Sequence, residues 1–230
     1  MVAQAYTVIV SDMLIDVPRP CHKPARLAAL ISGGGTTAVN LIEKIHTGEL
    51  DARLVMVGCS NPKAYERFKA RSYDIPVFLF NRKDYPDTEQ FSRAIFEQVR
   101  QSETDLVCLA GFLCLLSIPD DYAWRVLNIH PALLPAFGGK GMYGHHVHEA
   151  VIKAGCKISG CTVHFADQTY DTGPILVQRS CPVLPDDTPD ALAARVFQQE
   201  CLAYPEAVNL LIHKHLQIDG RMVRPLEDPA

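Results

Sequence analysis

An excess of positive charge is missing from this sequence. Its 22 Lys and Arg are set against 26 Asp and Glu, for a net charge of −4, so no overall basic field draws it to nucleic acid or to an anionic membrane. Eight cysteines are present, yet none form a Cys-x-x-Cys pair, which excludes a zinc ribbon and a thioredoxin motif. Four sit inside apolar runs (Cys59, Cys108, Cys114, Cys161), where reduced cysteine behaves as a small hydrophobe; a reducing, cytoplasmic compartment is expected. No run reaches the ~18 apolar residues that span a bilayer. The N-terminus lacks a basic region and acids interrupt its apolar stretch, so no signal peptide is expected. A Gly-x-Ser-x-Gly elbow is absent as well, which argues against a covalent acyl-enzyme. With 48% hydrophobic and 21% charged residues, the chain has the make-up of an ordinary globular protein.

Residues 1–24 end in a crowd of prolines (Pro18, Pro20, Pro24) and are expected to be an extension outside the main core. From Arg26 onward, apolar runs at Leu27–Ile31, Leu54–Cys59, Pro76–Phe80 and Leu106–Ala110 alternate with helical patterns. That rhythm predicts a parallel sheet covered on both faces. Arg125–His130, Ile158–Ala166 and Ile175–Val183 follow as further strands, with a helix near Val147–Ala154. Thr188-Pro189 is a helix start; that helix is expected to reach Tyr204, with Pro205 opening the next. Asp219-Gly220 predicts a terminal hairpin. One domain is expected over 25–223, with a tail over 224–230.

Two places carry chemistry. Ser32-Gly33-Gly34-Gly35-Thr36-Thr37 follows the first apolar run and opens the first helix, where glycines and free N–H groups favour an anion. A dinucleotide reading needs an acid at the end of the second strand, and Gly58-Cys59-Ser60-Asn61 has none. A phosphate monoester fits better, and a tight turn that binds nothing stays open. Asn128-Ile129-His130-Pro131 closes a later strand, and residues two apart share a face. An Asn amide can donate to an oxyanion, and a His can move a proton near neutral pH. Asp171, in Tyr170-Asp171-Thr172-Gly173-Pro174, could fold back on the imidazole and favour its charged form; plain turn chemistry is the alternative.

In order and spacing, Leu30-Ile31-Ser32-Gly33-x-Gly35, Leu109-Ala110-Gly111-Phe112, Asn128-Ile129-His130-Pro131-Ala132-Leu133-Leu134-Pro135, and Val163-His164-Phe165 with Asp171-x-Gly173-Pro174 resemble the glycinamide ribonucleotide formyltransferases, folate-dependent enzymes of purine synthesis. The resemblance runs from about Arg26 to Val223. It implies a Rossmann-like, mostly parallel sheet of about seven strands with helices on both faces. It further implies transfer of a formyl group from 10-formyltetrahydrofolate, as co-substrate, to the amine of the nucleotide. Asn128, protonated His130 and Asp171 would be catalytic, with Asp171 raising the His130 pKa. Gly35, Thr36, Thr37 and Glu200 would hold the nucleotide. Leu113, Cys114, Leu115, Leu116, Asn128 and Asp167 would face the folate. Cys114 and Thr88 stand where the family commonly has Arg.

No metal is expected: His145, His146 and His148 lack a partner at zinc spacing. His164 is expected near His130 in a supporting role. The glycines of 137–144 suggest a lid, with an inert loop as the alternative. The partners expected are small molecules alone, on a monomer or homodimer. A formyltetrahydrofolate deformylase and a non-catalytic nucleotide-binding module are the competing readings; a methionyl-tRNA formyltransferase would need a basic C-terminal domain.

Overall fold

In β2 (Ala25–Ile31) every residue but Arg26 is buried, because this strand lies inside a sheet with a core on each side. Leu27, Ala29 and Ile31 belong to one core and Ala28 and Leu30 to the other, as the period of two demands. The computed structural model of the chain describes residues 14–226. Its remaining elements are β1 (Ile15–Asp16), α1 (Thr36–His46), β3 (Ala52–Cys59), α2 (Pro62–Lys69), β4 (Val77–Leu79), α3 (Thr88–Gln101), β5 (Leu106–Leu109), β6 (Val126–His130), α4 (His145–Lys153), β7 (Ile158–Phe165), β8 (Ile175–Pro182), α5 (Pro189–His213), β9 (His215–Asp219) and β10 (Met222–Leu226). No helix among them is long and apolar enough to cross a membrane.

The strands form one mixed sheet in the order β1-β9-β10-β8-β7-β6-β5-β2-β3-β4. Strands β6, β5, β2, β3 and β4 run parallel, and β7 turns back antiparallel on β6. The seven expected strands are β2 to β8, β9 and β10 are the terminal hairpin, and β1 is a tenth strand on β9. The chain leaves β2 on one side toward β3 and returns on the other as β5. Such a reversal opens a crevice at the carboxyl ends of the strands. Hydroxyls tie those ends together. Ser32 Oγ accepts from Leu113 N (2.9 Å) and from Ser60 Oγ (2.7 Å), and the Asn61 amide donates to the Ser32 carbonyl.

Helices α1, α2, α4 and α5 bury Leu41, Phe68, Val147 and Val196 against one face. Helix α3 covers the other with Phe91, Ile95, Phe96 and Val99, a stripe at helical spacing. Each of these side chains contributes roughly 1.5–3 kcal/mol by leaving water. Asp87 caps α3, Asn61 caps α2 and Thr188 caps α5, each accepting from a first-turn N–H.

Two expectations are corrected. The helix beginning at Thr188-Pro189 does not stop at Tyr204: α5 runs through Pro205 to His213. Proline has no N–H, so the Cys201 carbonyl loses its helical donor; the buried Asn40 amide of α1 donates to that carbonyl instead, at 3.1 Å. The described part of the expected extension is not outside the core. Val17 is buried, and its N–H donates to the Leu216 carbonyl beside the β1–β9 pair; alternation of Ile15 and Val17 outweighs the prolines that follow. Residues 1–13 of that segment and 227–230 of the expected tail lie outside the described residues.

Asn40→Ala should therefore lower the free energy of unfolding by about 1–3 kcal/mol, the cost of an orphaned buried carbonyl. In a Pro205→Ala background, where the helix supplies its own N–H, urea unfolding should show a smaller loss.

Candidate functional site

The loop after β2 is shaped by its backbone geometry. Gly35 has φ +70°, and a Cβ there would stand 2.7 Å from the Phe68 ring, so only glycine makes this entry into α1. No side chain caps α1, so its first-turn N–H groups take no side-chain cap. Gly35 and Thr37 are buried and Thr36 is exposed.

Asn128 and His130, two apart on β6, both reach Asp171, as a shared face requires. Asn128 Nδ2 donates to Asp171 Oδ1 at 3.2 Å, and His130 Nδ1 lies 3.4 Å from Asp171 Oδ2. Asp171 sits in the turn between β7 and β8 at φ +57°, a left-handed conformation that Asp tolerates better than most residues. The Asp167 carboxylate holds that turn by accepting from Thr169 N and from the Thr172 hydroxyl. Behind Asp171 the chain comes close at Gly138, where a Cβ would lie 3.3 Å from the Asp171 Cβ and 2.5 Å from the Leu134 side chain. The neighbouring Gly139 N–H then donates to Asp171 Oδ2 at 2.8 Å.

His164, opposite Asn128 on β7, completes the cluster. Its Nδ1 lies 2.8 Å from the Phe165 carbonyl and its Nε2 lies 3.1 Å from Asn128 Nδ2. The same Nε2 is 3.7 Å from Asp171 Oδ1. The expected supporting role corresponds to contacts with Asn128 and Asp171.

Burial works to raise the Asp171 pKa, but His164, His130 and the Gly139 N–H together hold it below the usual carboxylate value. His130 is 3% exposed. Its Nε2 meets the Phe137 carbonyl at 2.8 Å and its Nδ1 meets Asp171, so only the imidazolium satisfies both acceptors. Burial opposes that charge more strongly than Asp171 and Phe137 favour it, and the His130 pKa lies below 6.5. The expected influence of Asp171 is present, and desolvation outweighs it.

These groups open onto a cavity of about 630 Å³. Of the residues singled out from sequence, Thr37, Leu113, Cys114, Leu115, Leu116, Asn128, His130, Asp167, Asp171 and Glu200 line it; Gly35 and Thr36 do not. Lys140 to Gly144 line it too, so this glycine-rich loop covers the site. His148, set aside in sequence as a metal ligand, is a further lining residue. It is 4% exposed, its Nδ1 has no partner, and burial lowers its pKa. Its helical spacing after Gly144 was the signal for an inward side chain. His145 and His146 instead pair with Asp190 and Glu149 at the surface.

Desolvation raises the Glu200 pKa to about 7. A raised folded-state pKa means the native protein holds more protons than the unfolded chain between about pH 4.5 and 7, so this group's stabilisation is lost as pH rises through that window. Glu200→Gln should flatten the decline in unfolding free energy between pH 5 and 8. Equal slopes in the two proteins would contradict the assignment.

The formyl transferase family model matches residues 25–208. Phosphoribosylglycinamide formyltransferase, chloroplastic, of Arabidopsis thaliana is 37% identical over 211 residues, covering 90% of this chain and 72% of that protein. The Bacillus subtilis (strain 168) phosphoribosylglycinamide formyltransferase is 32% identical over 189 residues, 81% of this chain and 94% of that protein. Some relatives are far longer: the chain spans 14% of the trifunctional purine biosynthetic protein adenosine-3 of Drosophila melanogaster. Among solved structures, glycinamide ribonucleotide transformylase 1 from Symbiobacterium toebii superposes with a TM-score of 0.80 at 36% identity, covering 88% of this chain and 94% of that one.

Proposed function

This chain belongs to the formyl transferase family, and we propose that it moves the formyl group of 10-formyltetrahydrofolate onto the primary amine of glycinamide ribonucleotide, a step of purine biosynthesis. The observation that carries this reading is the meeting of Asn128, His130 and Asp171 over one cavity at the carboxyl end of β6. Relatives named as phosphoribosylglycinamide formyltransferases support it. The proposed formyltransferase domain covers 25–223, and all eight cysteines are free thiols, four of them buried, which supports a reducing, cytoplasmic compartment.

In the proposed reaction the amine nitrogen attacks the formyl carbon, forming the new C–N bond while the carbonyl electron pair moves to oxygen. Asn128 Nδ2 and His130 Nε2 donate to that oxyanion, which takes the place of the Phe137 carbonyl as the acceptor for His130. The oxyanion adds a second negative partner beside the imidazole and so favours the imidazolium that burial alone disfavours. Collapse breaks the bond to the folate nitrogen, which takes a proton from the His130 imidazolium as it leaves, and the neutral imidazole then accepts the proton that the attacking amine gives up. The phosphate is assigned to the free N–H groups at Gly35, Thr36 and Thr37, and Glu200 to the nucleotide on the same side. The pterin is assigned to Leu113–Leu116 and the turn at Asp167, where backbone groups substitute for the Arg that Cys114 replaces.

His130→Ala and Asp171→Asn should each lower turnover by at least ~100-fold with the circular dichroism spectrum unchanged. Release of tetrahydrofolate should require glycinamide ribonucleotide. Near-normal turnover in either variant overturns the roles, and folate release at the same rate without the nucleotide overturns the transferase reading in favour of hydrolysis.

A further inference from the structure

The end of the sheet opposite the cavity holds a second cluster of ligating side chains. Parallel strands β2 and β5 begin there, and Asp105 is the residue just before β5. Asp105 is 1% exposed. Its two carboxylate oxygens each take a backbone N–H, Oδ1 from Cys21 at 3.0 Å and Oδ2 from Arg26 at 2.8 Å. Two side chains from the segment leading into β2 converge on the same carboxylate. Cys21 Sγ is 3.0 Å from Oδ1, His22 Nδ1 is 3.0 Å from Oδ1 and 3.1 Å from Oδ2, and sulfur and ring nitrogen are 3.4 Å apart. Among the described residues this is the one group of three His, Cys, Asp or Glu side chains with ligand atoms close enough to share an ion.

We propose that Cys21, His22 and Asp105 form a binding site for a borderline-soft divalent cation, zinc foremost, which pins the N-terminal segment to the sheet and takes no part in the reaction. Thiolate, imidazole and carboxylate are the ligand types zinc takes. A tetrahedral zinc with bonds of ~2.0–2.3 Å separates its ligand atoms by about 3.3–3.6 Å; the 3.4 Å between sulfur and ring nitrogen lies in that range, and the two 3.0 Å separations to Oδ1 fall short of it by a few tenths. Thiolate and carboxylate together offset the two positive charges. On binding, the Cys21 thiol gives its proton to solvent and the Sγ–metal bond takes the place of its hydrogen bond to Asp105. Cys21 is exposed and the His22 side chain is 38% exposed, so a water has access to the fourth position. The backbone N–H groups of Cys21 and Arg26 fix the carboxylate in advance, as the outer partners of metal ligands do. Asp105 stands 83 residues beyond His22, which is why no compact ligand spacing marks this site in the sequence.

The same contacts could be a hydrogen-bonded clasp that needs no ion, and cobalt separates the two. Titrating the full, chelator-stripped chain with Co(II) should give the near-ultraviolet thiolate-to-metal absorption of a tetrahedral site, saturating at one equivalent and abolished by one equivalent of Zn(II). Cys21→Ser should lose that band and His22→Asn should weaken binding at least ~10-fold. Zn(II) should raise the thermal midpoint of the parent chain and leave it unchanged in Cys21→Ser, whose formyl-transfer rate should match the parent's. Absence of the band in the parent chain, or a band of equal strength in Cys21→Ser, overturns the proposal.

Discussion

A largely buried carboxylate organises this molecule's chemistry. An ionised side chain in such a place is costly unless every oxygen is paired, and Asp171 meets that demand from three directions. The Gly139 N–H comes from the loop over the cavity, Asn128 and His130 from β6, and His164 from β7. Each partner of the charge is thereby held in place by it. The left-handed turn at 171 and the absence of a Cβ at 138 let backbone and carboxylate approach this closely. The loop, the strand end and the turn act as one assembly because they share one negative charge.

The rest of the fold puts that assembly where a substrate can reach it. Reversal of strand order at β2 opens the crevice, and Ser32, Ser60 and Leu113 hold its rim through hydroxyl bonds. The two cores fix the sheet from either side. Helix α5 spans one face and brings Glu200 to the cavity, and Asn40 supplies the Cys201 carbonyl with the hydrogen bond that Pro205 removes.

Most strands and helices are legible in the sequence because apolar runs, caps and glycines agree with one another locally. The pairing of Asn128 with His130 is legible for the same reason, since a spacing of two in a strand leaves no choice of face. What resists reading depends on distant parts of the chain. Pro205 looks like a helix boundary until the amide of Asn40, 165 positions earlier, is seen beside it. Val17 looks peripheral until β9 lies alongside. The net direction of the His130 pKa follows from burial, a property of the whole fold, whereas the opposing pull of Asp171 follows from motif spacing. His148 was visible as a histidine cluster but not as a buried ring facing the cavity.

The central claim is that an ionised Asp171 acts electrostatically on His130. Nuclear magnetic resonance titration of the His130 ring proton on carbon ε1, in the parent chain and in Asp171→Asn, tests it most directly. The account predicts that the midpoint, which burial holds low, moves to still lower pH when the carboxylate becomes an amide. A midpoint that stays where it was, or rises, would mean that the charge at 171 does not govern this imidazole.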